Sequence, residues 1–160
     1  MAAPCPDCGF DAAPLSPPDA VVALRSFPRR FAEIGQPDDD DIDAEGGGPS
    51  VTTLAAAEAA AGAIAASGEQ LRRVLVEDRP DLGPAPAVGA GPAGAPADAI
   101  DRLRAAAGGV ADLAAAQPAS AWSRTGRRNG QNVSAADLLR EAVHAGAHEL
   151  RVAADAPEPG

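Results

Sequence analysis

The chain has 160 residues, a formal net charge of −10 and a pI near 4.5. That balance argues against nucleic acid as a partner, because phosphate binding needs a basic surface. No apolar run approaches the roughly 20 residues of a membrane-spanning helix. Residues 1–10 carry neither a basic n-region nor an apolar h-region, so the expectation is a cytoplasmic protein with no membrane partner.

The length suggests one domain, able to bury a core without a metal or disulfide merely to fold. That core is short of large side chains. Aromatic residues are 2% of the chain, with three Phe, one Trp and no Tyr, and much of the 46% hydrophobic content is alanine. Alanine favours helix but contributes little burial, so modest stability is expected. All 13 basic residues are Arg, which points to codon usage in a GC-rich genome.

Residues 1–15 read as a Pro-punctuated leader carrying Cys5 and Cys8. A first helix begins after Ser16 as N-cap, with Pro17 at the first position and Asp19 at the third. Val21, Leu24, Phe27, Phe31 and Ile34 follow at helical steps, and Pro28 is expected to bend the helix. Gly35 and Pro37 stop it. Residues 36–49, with Asp38 to Asp41, Asp43, Glu45 and three glycines, read as an exposed acidic loop without the spacing of an EF-hand.

A long second helix is expected over about 52–77, with Leu54, Ile64, Leu71, Val74 and Leu75 on its apolar face. Pro80 ends it, and 81–96 reads as a Gly/Pro/Ala linker. A third helix spans about 96–117, with Ile100, Leu103, Val110 and Leu113. After a loop at 119–133, Ser134 and Asp137 cap a fourth helix that runs to near residue 154. Nothing alternates with period two. The expected fold is therefore an all-α four-helix bundle with long loops, spanning 16–155 and followed by a disordered tail, 156–160.

His144 and His148 are four apart on the last helix, so both rings leave one face. One helix can present two imidazoles to a metal ion at this spacing. Asp137, Glu141, Arg151 and Asp155 fall near the same stripe, so a solvated polar face that happens to hold two histidines is the competing reading. Cys5 and Cys8 form a C-P-D-C-G knuckle suited to structural zinc or to redox chemistry. A four-ligand site of Cys5, Cys8, His144 and His148 would require the leader to dock on the last helix, and the favoured expectation is an unliganded, reduced pair. The loop 122–130 holds Trp122, Arg124, Arg127 and Arg128, candidates for binding a carboxylate-bearing small molecule. The alternative is that Trp122 anchors the loop while its arginines balance nearby acids.

In order along the chain, these features resemble the DinB/YfiT superfamily, in particular the actinobacterial branch related to mycothiol-dependent maleylpyruvate isomerase. The matching residues are Cys5-Pro6-Asp7-Cys8-Gly9-Phe10-Asp11, Val76-Glu77-Asp78-Arg79-Pro80, Trp122 with Arg124, Gly126 and Arg127, and Val143-His144-x-Gly146-x-His148. The resemblance implies an up-down-down-up bundle and a divalent metal, zinc or nickel, held by three histidines. Two of these match His144 and His148. It also implies a low-molecular-weight thiol as co-substrate in transfer or isomerisation.

The third ligand is expected near Ala59, where residues 51–66 contain no histidine. Glu58, one residue away, would make a two-His, one-carboxylate site. Three functions follow. The first is a metal-assisted thiol transferase or isomerase using His144, His148 and Glu58. The second is a metal-free tailoring or cyclising enzyme of specialised metabolism, in which His144 or His148 acts as acid or base tuned by Glu141 or Asp137. The third is a non-catalytic small-molecule binder. Monomer and homodimer are equally compatible with the sequence.

Overall fold

A computed structural model describes residues 3–34, 48–87 and 97–157. The acidic run 38–45, residues 88–96 of the expected linker and the tail end 158–160 lie outside the described residues. Within them are four helices, α1 (Pro17–Glu33), α2 (Val51–Val76), α3 (Ala99–Ala115) and α4 (Ala135–Asp155), with one small hairpin.

Local chemistry sets the helix starts. The Ser16 hydroxyl accepts from the Asp19 amide, and Pro17 occupies a position where no amide donor is missed. Ser50 caps α2 in the same way, accepting from the Thr53 amide at 3.1 Å. At α4, Ser134 and Asp137 bond reciprocally, so two otherwise unsatisfied amides are covered. The α1 helix continues through Pro28, which is itself buried in the bundle.

Each helix packs against two others: α1 against α3 and α4, and α2 against α3 and α4. Glu58 meets Arg102 and Gly68 meets Val110, so α2 and α3 run the same way. Thr52 shares a groove with Val152, while Ser67 shares another with Glu141, so α2 and α4 are antiparallel. Arg140 donates to the Leu15 carbonyl just before α1, and Arg30 lies across a groove from Arg151, which makes α1 and α4 parallel.

The core is built from a few large residues, including Phe27, Phe31, Leu24, Ile64, Leu71, Leu103, Leu138 and Leu139, set among fully buried alanines such as Ala57, Ala60, Ala107 and Ala142. Each buried Leu or Phe contributes about 1.5–3 kcal/mol, so these positions carry most of the hydrophobic stabilisation. Among the described residues, helix α2 alone is long and apolar enough by composition to cross a membrane, and more than half of that stretch is buried against its neighbours.

The expected loop 119–133 is more ordered than the sequence suggested. It contains a 3-10 turn (Ala119–Ser123) and two antiparallel strands, β1 (Thr125–Arg128) and β2 (Gln131–Ser134). Asn129 and Gly130 form the turn, with φ of 52° and 78°; two successive left-handed residues suit the tight hairpin turn that matches strand twist. The start of the expected linker is also tied down. The Arg127 amide donates to the Pro80 carbonyl, and the Leu82 amide donates to the Arg127 carbonyl, both at 2.8 Å.

Candidate metal centre

The leader docks on α4. Within it, the Gly9 amide donates to the Cys5 carbonyl at 2.8 Å and the Cys5 amide to the Phe10 carbonyl at 3.0 Å. Gly9 makes this turn at φ +71°, a conformation that favours glycine. The knuckle brings both sulfurs to one side. Phe10 then lies parallel to the His144 ring, with centroids 6.1 Å apart and planes 6° from parallel.

That docking brings Cys5 Sγ to 4.0 Å from His148 Nδ1 and Cys8 Sγ to 3.6 Å from His144 Nε2. One donor atom from each of Cys5, Cys8, His144 and His148 lies within 4.8 Å of the other three. A tetrahedral zinc ion with Zn–S near 2.3 Å and Zn–N near 2.0–2.1 Å holds its donors roughly 3.3–3.8 Å apart. The residues present therefore fit such an ion after a small contraction. Two thiolates and two imidazoles also suit zinc better than an oxygen-loving cation.

The two cysteines sit in different electrostatic surroundings. The backbone amides of Cys8 and then Asp7, followed by the His148 ring, lower the Cys5 thiol to about 6 from an ordinary 9.0. Burial pushes the Cys8 thiol up; the Phe10 amide opposes this, and neighbouring Cys5 reinforces it. Both thiols are free and half-buried. The reduced pair of the leader thus faces both histidines, the docking that a four-ligand site requires.

Glu58 stands apart from these donors. Its carboxylate pairs with Arg102 on α3 at 2.8 Å. Together with Ala59, it lines a groove of about 240 Å³ shared with Gly62, Ala63, Ala66, Pro86 and Ala87, and none of the four donors lines that groove. The physical reason is its helix face: position 58 looks across to α3, where a guanidinium is in reach.

In the basic hairpin region, two of the three arginines are engaged by the protein itself. Arg124 donates to the carbonyls of Val74 and Glu77, each at 2.8 Å, tying the hairpin to the end of α2. Arg128 is buried and bonds Glu141 through two nitrogens at 2.7 and 3.0 Å, with a further bond to Gln70. Glu141 is thereby held by Arg128, although it lines a cleft of about 190 Å³ together with His144 and Ser67. Trp122 is half-buried against the core, and Arg127 is exposed.

Two grooves flank the four donors. One, of about 410 Å³, lies between the leader, α1 and α4, with Cys8, Phe10, Phe27, Val143 and Leu150 in its walls and Arg30 beside it. The other, of about 440 Å³, is lined by Asp7, Cys8, Thr52, His148 and Arg151. The sequence signal missed for the first was Arg30, a single exposed guanidinium in the last turn of α1. No known family model, curated protein or solved structure matches the chain.

Proposed function

We propose that this protein is a metalloprotein built on a DinB-type, up-down-down-up bundle, in which Cys5, Cys8, His144 and His148 hold one zinc-class divalent ion. One observation carries the reading. The chain contains only two cysteines and two histidines, and all four meet at one point although the pairs are 136 and 143 residues apart in sequence. The shared direction of α1 with α4, and of α2 with α3, supports the DinB comparison.

Zinc bound there would hold both cysteines as thiolates. With four protein donors the coordination sphere is closed, as in structural sites, and the chain's own cysteines take the sulfur positions that an external thiol would need. The first consequence is mechanical: the knuckle is clamped to α4, and the walls of both flanking grooves are fixed.

Small-molecule chemistry of the thiol-transfer or isomerase class belongs to the same proposal, in the groove beside Cys8. Its volume suits a small organic ligand. Arg30 has no side-chain partner among the described residues, so its guanidinium can receive a carboxylate, whereas Arg124 and Arg128 are engaged by the protein. Cytoplasmic residence is part of this reading, since a reducing compartment keeps both thiols available.

Metal analysis of protein purified without a His-tag or chelator tests it. About one zinc per chain is expected, falling sharply in Cys8→Ser and in His148→Ala. A wild-type chain that retains no metal after incubation with zinc overturns it. The lowered Cys5 thiol favours a second, metal-free reading, in which Cys5 and His148 act as a thiolate–imidazole acid–base pair. A metal-free preparation whose chemistry needs His148 and ignores chelators would select that alternative.

A further inference from the structure

We infer that Cys5 and Cys8 form a dithiol–disulfide switch that decides whether the leader stays clamped on α4. For the ion, this rests on the four-donor reading above; for the thiols and the leader it stands on the knuckle itself. Both sulfurs lie in one turn, closed by the Gly9-to-Cys5 and Cys5-to-Phe10 backbone bonds, and within 4.8 Å of each other. A disulfide needs its sulfurs about 2.05 Å apart. Drawing them together turns each away from its histidine partner while leaving the turn's backbone bonds in place. Both cysteines are half-buried, and Cys8 lines both flanking grooves, so a small oxidant reaches the pair.

With a hydroperoxide as oxidant the step balances. One thiolate attacks a peroxide oxygen, the O–O bond breaks, hydroxide leaves, and a sulfenic acid forms. The second thiolate attacks that sulfur, the S–S bond forms, and a second hydroxide leaves. Two electrons pass from the two sulfurs to the peroxide. The product has no anionic sulfur donor. Only His144 and His148 remain to hold an ion, two ligands where a stable zinc site needs three or four. The leader is then held to the bundle by weaker contacts: the Phe10 stack on His144 and the Arg140 bond to the Leu15 carbonyl. A thiol reductant restores the dithiol.

The test uses the full chain, reduced and zinc-loaded, treated with stoichiometric hydrogen peroxide in the presence of a chromophoric chelator. Expected together are release of one zinc per chain, a mass loss of about 2 Da and a several-fold faster hydrogen exchange of the leader peptide. Dithiothreitol with added zinc reverses all three, and Cys8→Ser gives no such mass loss. Retention of zinc, or thiols that gain oxygen without ever pairing, overturns the switch. A chain that never takes up zinc defeats the metal reading instead. In that case, thiol pairing with loosening of the leader still supports the switch, and thiols that resist pairing overturn it.

Discussion

A Cβ placed at Gly146 would overlap the ring of Phe27, which is buried and reaches α4 from α1. This glycine lies between His144 and His148 in sequence but roughly half a turn round the helix from both, so its lack of a side chain lets α1 approach the face of α4 opposite the histidines. Gly146→Ala forces either the ring or the helix to move. A cost of about 1–3 kcal/mol is expected, the usual range for overpacking, despite alanine's better helix propensity. Urea denaturation measures it, and a variant as stable as the parent would show that Phe27 yields freely.

The Cys5 thiol makes a second prediction at the residue scale. Its folded value of about 6 lies below its ordinary 9.0, so ionisation favours the folded knuckle, chiefly through the amides of Cys8 and Asp7 and to a smaller extent through docking on His148. This contribution is complete above pH 9, declines as pH falls, and is gone once the folded thiol protonates near pH 6. In metal-stripped protein, alkylation of Cys5 by iodoacetamide should therefore have its midpoint near pH 6. A midpoint close to 9 would mean that the amides of Cys8 and Asp7 do not reach the sulfur in solution.

At the scale of elements, the hairpin acts as a fastening between α2 and α4, through Arg124 on the end of α2 and Arg128 between Gln70 and Glu141. Arg128→Ala removes both bonds to Glu141 and opens a gap at a buried position. About 1–3 kcal/mol should be lost, at the lower end because Glu141 is partly solvated. Chemical denaturation of the variant reads this, and an unchanged midpoint would demote the ion pair to a surface contact.

The four helices were legible because caps and apolar spacing are local signals: Ser16 and Ser134 start helices through bonds to residues three positions on, and apolar spacing alone marked α2 and α3. The hairpin was not, because Thr125–Arg128 and Gln131–Ser134 show no apolar alternation and are held mainly by distant backbone and arginine contacts. Only Asn129-Gly130 announced it. The site divides in the same way. The His144–His148 spacing and the Cys5–Cys8 knuckle can each be read locally, but their meeting depends on leader docking, which leaves no periodic trace. Glu58 was drawn toward the site by its position one residue from an expected ligand, and Arg102 on another helix determines where it points.

For the whole molecule, the described part of the leader adds no helix or strand and reaches the bundle through Phe10, Arg140 and the four-donor cluster. The bundle itself relies on a small number of large side chains. An ion held by the proposed four-donor site would then supply a sizeable fraction of total stability. A ligand present at about 1,000 times its dissociation constant stabilises the folded state by about 4 kcal/mol. In a domain of this size that corresponds to a melting-temperature rise of roughly 8–16 °C. Calorimetry on chelator-stripped and zinc-saturated full chain should find this rise. Exposed carboxylates on a chain of net charge −10 also attract zinc weakly, so the controlling comparison is the Cys5→Ser/Cys8→Ser double variant. Its acidic surface is unchanged while two of the four donors are lost, so its melting temperature should stay near that of the stripped parent with or without zinc. An equal rise in the double variant would assign the stabilisation to the acidic surface and remove the clamp as its cause.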